Sequence, residues 1–170
     1  MRFFTRRRIV AGLAASAVLV GAGFFVGAGV AGAVQNSFSF GTIRNIVAVT
    51  ENSPAVISST SWQTLTTQTF SPSASARAIR VRFTGESQCV TLAGQWCSMR
   101  VLVNNVEAHP QSGSDLGFDS GTGLDKYESH SMEKISTNVS SNNTITVQWI
   151  VVGSGSFRLD NWSLSIEALE

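Results

Sequence analysis

Little in this chain points directly to chemistry. Its 170 residues include only two cysteines, Cys89 and Cys97, and two histidines, His109 and His130. Structural zinc sites need several Cys or His ligands at close spacing, and no C-x-x-C pair occurs, so neither a metal centre nor thiol–disulfide catalysis is expected. The G-x-S-x-G elbow of serine hydrolases is missing, because Gly153-Ser154-Gly155-Ser156-Phe157 sets its serines and glycines out of register. Two facing carboxylates, as in sandwich glycosidases, could be drawn from Glu86, Glu107 and Glu128, but no dense acidic cluster marks a pair. No cofactor is expected. No repeat of fixed period is present, and nothing after Ala33 has the 3.6-residue apolar period of an amphipathic helix.

Basic charge is scarce too. Four of the twelve Lys and Arg residues (Arg2, Arg6, Arg7, Arg8) lie at the extreme N-terminus, which leaves eight against eleven acids in the remainder. A mildly acidic domain lacks the positive footprint that a phosphate backbone requires, so a nucleic-acid partner is not expected. Arg80 and Arg82, with Arg77 nearby, read as one solvated strand face.

What is present begins with an export pattern. Arg6, Arg7 and Arg8 precede an uncharged Ala/Gly/Val-rich run from Ile9 to Val30 that ends in Ala31-Gly32-Ala33. A basic region, an apolar region and a small-x-small exit form a signal peptide over residues 1–33, with cleavage before Val34. Thr5-Arg6-Arg7-Arg8-Ile9-Val10 also fits a twin-arginine signal, and Sec export is the alternative. The run is long enough to remain as a membrane anchor if uncleaved; after cleavage no membrane association is expected. Residues 34–170 form one domain, secreted or held in the cell envelope.

In an oxidising compartment the two cysteines are expected to pair, with Val90 to Trp96 folding back between them as a hairpin. The apolar residues that follow have a period of two. Ile79, Val81 and Phe83 alternate with arginines; Met99, Val101 and Val103 follow; Ile145, Val147, Trp149 and Val151 alternate with Thr146 and Gln148. Phe38 to Val49, Val56 to Trp62, Leu65 to Phe70 and Phe157 to Ile166 add further β-compatible runs, separated by Ser-Pro, Gly, Asn-Asn and Gly-Ser breaks. Eight or more short strands without covering helices predict an all-β, antiparallel two-sheet sandwich of the jelly-roll kind. Trp149 and Trp162 are expected in its core.

The segment from Glu107 to Glu128 breaks this pattern. Pro110, four glycines and Asp115, Asp119 and Asp125 predict a long exposed loop with at most a short strand near Phe118, and loops of this length commonly carry function. The three aspartates lack the EF-hand spacing and read as solvated acids rather than calcium ligands. Asp119, Glu128 and His130 are the polar binding candidates, with Glu128, His130 and Met132 on one face of a strand. As surface residues, Asp119 and Glu128 are expected to tolerate alanine without loss of stability. Trp62 and Trp96, near strand ends, are the aromatic candidates for stacking on a sugar ring, against partial burial at the sandwich edge.

Several phrases carry a resemblance. Val81-Arg82-Phe83-Thr84-Gly85-Glu86-Ser87 with Cys89, Trp96-Cys97-Ser98-Met99-Arg100-Val101-Leu102-Val103, Phe118-Asp119-Ser120, Glu128-Ser129-His130-Ser131-Met132 and Phe157-Arg158-Leu159-Asp160-Asn161-Trp162 resemble a group of small secreted, mostly actinobacterial proteins without assigned activity. The resemblance spans roughly Ser58 to Glu167. Such relatives have Asp-Gly where this chain has Asn104-Asn105, and Pro-Gly where it has Ser141-Asn142-Asn143; all are turn formers.

The function expected from these residues is a secreted, non-enzymatic β-sandwich binding or interaction module at the cell envelope, with a carbohydrate or another envelope molecule as partner. The alternatives are a small secreted hydrolase using Asp119, Glu128 or His130 around the 107–128 loop, and a structural envelope protein without a small ligand.

Overall fold

The computed structural model describes residues 42–113, 116–121 and 126–170. The expected export signal lies outside the described residues, as do Asp115 and Asp125. The described chain holds β1 (Ile43–Glu51), β2 (Ala55–Ile57), β3 (Gln63–Phe70), β4 (Ala78–Thr91), β5 (Trp96–Val103), β6 (Val106–Glu107), β7 (Glu128–Ser136), β8 (Asn143–Val152) and β9 (Gly155–Leu169), and no helix.

The first sheet has the order β1-β9-β4-β7, and the second β3-β8-β5-β6. All pairs are antiparallel. β1 lies along Trp162–Leu169 of β9, and β2 lies along Phe157–Leu159 of the same strand, so the two act as one interrupted strand. Counted that way, two four-stranded sheets face each other as a jelly roll. The period-two pattern explains the core. Ile79, Val81 and Phe83 of β4 and Leu164 and Ile166 of β9 meet Met99, Val101, Ile145, Val147 and Trp149 of the second sheet. Trp149 and Trp162 are buried, as the alternation predicts.

Most connections cross between sheets. The exceptions are β1–β2 and the β5–β6 hairpin, whose turn residues Asn104 and Asn105 have φ of 53° and 64°. Both values belong to a type I′ turn, in which asparagine tolerates the left-handed region. The segment expected as a hairpin between the cysteines is different. Its chain does reverse, with Gln95 N donating to Leu92 O at 3.0 Å and Gly94 at φ 80°, as a type II turn requires. Yet β4 and β5 belong to opposite sheets, so the Cys89–Cys97 disulfide, with its Cα atoms 5.8 Å apart, joins the two layers. Gln95 Oε1 also accepts from Ser154 N at 2.8 Å, tying this corner to the neighbouring β8–β9 crossing.

Two local expectations change for polar reasons. The run Val56 to Trp62 is extended only to Ile57, because Ser59 Oγ accepts from Ser61 N at 3.1 Å. That side-chain bond competes with ladder formation. Asn143 is a buried junction at the start of β8, not a turn tip. Its Nδ2 donates to Phe70 O and Ser140 O, and its Oδ1 accepts from Ser140 N and Asn104 Nδ2.

The arginine face of β4 is knitted to carboxylates. Arg82 Nε donates to Glu133 at 2.6 Å, and Arg80 pairs with Glu167, which is buried beneath the two guanidinium groups.

Candidate functional site

The segment following β6 closes the open flank of the sandwich. Ala108 N still donates to Val101 O in the second sheet, whereas His109 exchanges backbone hydrogen bonds of 2.8 and 2.7 Å with Ile135 at the edge of the first. Within one residue the chain has stepped from one layer to the other, which covers the exposed β7 edge that would otherwise invite pairing. Lys134, fully buried on the inner side of β7, donates through Nζ to Pro110 O and Ser112 Oγ. Burial holds its ammonium below the ordinary lysine range, and the nearby Glu107 carboxylate opposes that shift.

The described part of the 107–128 loop is exposed at Pro110, Gln111, Ser120 and Tyr127, as its composition predicts, but Ala108, Ser112, Phe118 and Asp119 are buried. Phe118 enters the core, its ring 5.9 Å from Phe83, 6.2 Å from Phe157 and 5.6 Å from the His130 ring. Asp119 O accepts from Cys97 N at 2.9 Å, and Phe118 N donates to Cys97 O at 2.8 Å, so the loop adds a bridge to the free edge of β5. The short strand expected near Phe118 exists as this bridge. Gly121 then passes so near β4 that a Cβ would lie 2.8 Å from Cys89 O, at a φ of 50° that side chains avoid.

The burial of Asp119 corrects its reading as a surface acid. Only 9% exposed, it accepts from Ser87 Oγ through Oδ2 at 2.8 Å and from Gly121 N through Oδ1 at 3.1 Å. Ser87 Oγ also lies 2.9 Å from His130 Nδ1. The single hydroxyl proton goes to the carboxylate, so His130 Nδ1 must be the donor in the second bond. This order places serine between acid and base. Ser87 has no exposed surface and both its roles are taken, so it is not a nucleophile. The outer nitrogen of His130, Nε2, faces the exposed Glu128 carboxylate at 3.9 Å.

Sequence reasoning named Asp119 and His130 but missed Ser87. Only the β4–β7 register, with Ser87 opposite Glu128 and Gly85 opposite His130, reveals that it joins them. The three glutamates do not form a facing pair. Glu86 stands opposite Ser129 and so points to the other face of the sheet from Glu128, with Asn161 Nδ2 as its donor; Glu107 accepts from Ser112 N. Among the described residues no group of three His, Cys, Asp or Glu could hold a metal ion.

Both aromatic candidates belong to the outer side of the second sheet. Cys97, Met99 and Val101 point into the core, so Trp96, Ser98 and Arg100 point outward. Trp96 is half-buried beside Gly117, whose Cβ position lies 3.8 Å from the indole. Trp62, also half-buried, precedes β3, yet its ring meets the Arg100 guanidinium of β5, whose Cζ lies 4.3 Å from the ring centroid. β8 runs between these strands. The stacked pair thus spans a gap of about 10 Å set by two interstrand spacings. Arg100 Nε donates to Gln148 Oε1 of β8 at 2.8 Å, which orients the guanidinium plane. Sequence analysis did not single out Arg100 or Gln148 as functional.

Fold and side chains together define a jelly-roll domain with its layers stapled by one disulfide, a buried polar relay at one flank and an aromatic–cationic pair on an outer sheet face. No protein-family model and no curated protein matches this chain.

Proposed function

We propose that this protein is a secreted, non-enzymatic binding module of the cell envelope that takes a glycan on the outer face of its second sheet. The observation that carries this reading is the Trp62–Arg100 stack. An indole and a guanidinium displayed on a sheet face offer an apolar plane for a sugar ring and directed donors for its hydroxyls. Trp96 lies on the same face, four strand positions from Arg100, or about 13 Å along β5, which suits an extended ligand rather than a single small molecule. The export pattern of residues 1–33 and the disulfide both favour action outside the cytoplasm.

The hydrolase alternative draws less support. Asp119 is engaged by Ser87 and Gly121, which leaves His130 Nε2 and Glu128 as the only members of that set still open to a ligand.

The test is a screen of the secreted domain against neutral and acidic oligosaccharides and envelope fractions, repeated with Trp62→Ala and Trp96→Ala. Each substitution is expected to weaken binding about tenfold, the loss usual for a central aromatic contact. A domain that binds no saccharide, or one whose binding ignores both tryptophans, rejects this reading in favour of a structural envelope role.

A further inference from the structure

We infer that Arg100, Trp62 and Gln148 form a subsite for the carboxylate of an acidic sugar, so that the ligand is a uronate-bearing polysaccharide rather than a neutral one. This rests on the glycan reading above and specifies its chemistry.

The argument begins with charge compensation. On the first sheet, Arg80 and Arg82 are matched by Glu167 and Glu133. Arg100 has no such partner among the described residues. Among the described residues its contacts are a neutral amide, Gln148 Oε1, and the Trp62 ring, and both Nη groups lack a protein acceptor. Its neighbours on the outer face are Ser98 and Leu102 along β5, with Thr146, Gln148 and Ile150 on β8. None is charged. Glu107, opposite Leu102, is engaged by Ser112 N and faces buried Lys134.

Such an arrangement leaves the guanidinium organised but unsatisfied. Gln148 fixes Nε, the indole fixes the plane, and the terminal N–H groups remain as a planar fork. A planar fork matches a carboxylate through two parallel hydrogen bonds, and the side-chain entropy of ordering it has already been met by the stack.

A phosphate-rich polymer is the rival anion, and overall charge argues against it. Beyond the N-terminal 33 residues the chain has eight basic and eleven acidic residues, so a dense polyanion would meet net repulsion. A single arginine without a carboxylate partner among the described residues, its nearest acid Glu107 being held by Ser112 N, suits sparse charge, one carboxylate per sugar at most.

The experiment titrates the protein with tetragalacturonate, its carboxyl-reduced neutral counterpart and poly(glycerol phosphate). Wild type is expected to bind the uronate, with about tenfold to a hundredfold weaker binding of the reduced form, the loss of one charge-assisted bidentate contact. Arg100→Lys, which keeps the charge but removes the fork, should lower uronate affinity by a similar factor and leave the reduced form unaffected. Arg82→Ala on the opposite sheet should change neither. Circular dichroism and thermal unfolding establish that each variant is folded; Gln148→Leu, which frees the guanidinium plane while keeping the arginine, gives an independent intermediate loss. Equal affinity for acidic and neutral tetramers overturns the carboxylate subsite but leaves the glycan reading standing. Preference for poly(glycerol phosphate) overturns the carboxylate assignment. No binding in any arm removes the glycan reading and this inference together.

Discussion

The hydroxyl of Ser87 donates to Asp119 Oδ2 at 2.8 Å across 32 residues of sequence, and this bond holds the returning loop against β4. A buried carboxylate that accepts from a hydroxyl and a backbone N–H is structural. Asp119→Ala is therefore expected to destabilise the domain by about 2–3 kcal/mol, because Ser87 Oγ and Gly121 N lose their acceptor inside the protein. Glu128→Ala, at an exposed site, should stay within about 0.5 kcal/mol of wild type. Urea unfolding of the two variants checks both; equal stability of Asp119→Ala and wild type would show that the loop is held by other contacts.

The disulfide gives a second prediction. It closes a loop with a sequence separation of 8 and joins the layers at one corner. Converting both cysteines to alanine should lower stability by about 2–3 kcal/mol in the chain-entropy model. Denaturant midpoints of the double variant and of oxidised wild type measure it. Mass spectrometry of the oxidised protein that found two free thiols would contradict the pairing.

Ser98 offers the opposite sign. Its hydroxyl is fully buried on the outer side of β5, and among the described residues no hydrogen-bond partner reaches it. An unsatisfied buried hydroxyl costs about 1–3 kcal/mol, so Ser98→Ala is expected to raise stability by about 1 kcal/mol once lost packing is allowed for. A melting temperature below wild type would mean that the hydroxyl has a partner, such as a bound water.

Lys134 links stability to pH. Burial lowers its folded pKa, with Glu107 opposing, while the unfolded chain titrates near the ordinary value of about 10.4. Between those two values the unfolded state binds more protons, so stability from this group rises with pH; it is complete above the unfolded pKa and lost as pH falls through the folded one. Unfolding free energies of wild type and Lys134→Met, compared across the alkaline range below that value, should diverge, with wild type gaining on the variant as pH increases. Parallel curves would show that the ammonium is as well solvated in the folded state as in the unfolded one.

Much of the framework was legible because it depends on local pattern. Alternation in Ile79 to Phe83 and Ile145 to Val151 assigns strands and their buried faces without knowledge of any partner. Asn104-Asn105 reads as a turn because few residues tolerate two left-handed positions in succession. Cys89 can pair only with Cys97, there being no other cysteine. The candidate site was legible only in fragments. Asp119 and His130 stood out as an acid and a histidine around an atypical loop, whereas Ser87 looked like any polar residue near the end of a strand. Arg100 carried one faint signal, a lone charge within the otherwise apolar run from Met99 to Val103.

Alternation in the sequence decides which side of a strand is apolar, since successive side chains point to opposite faces. It does not decide which strand lies alongside, and that choice belongs to tertiary structure. Strand order places β8 between β3 and β5, and so brings the Trp62 ring to Arg100. It assigns β4 and β5 to opposite layers, and so turns a short cysteine loop into a staple between sheets. It also leaves the flank between β7 and β5 open, and the glycine-rich loop folds back to seal it with Phe118 and Asp119. Composition marked that loop as solvent-exposed because polarity is a local property. The burial of Phe118 and Asp119 within it follows from the backbone donors and acceptors of two unpaired strand edges, which exist only once both sheets have formed.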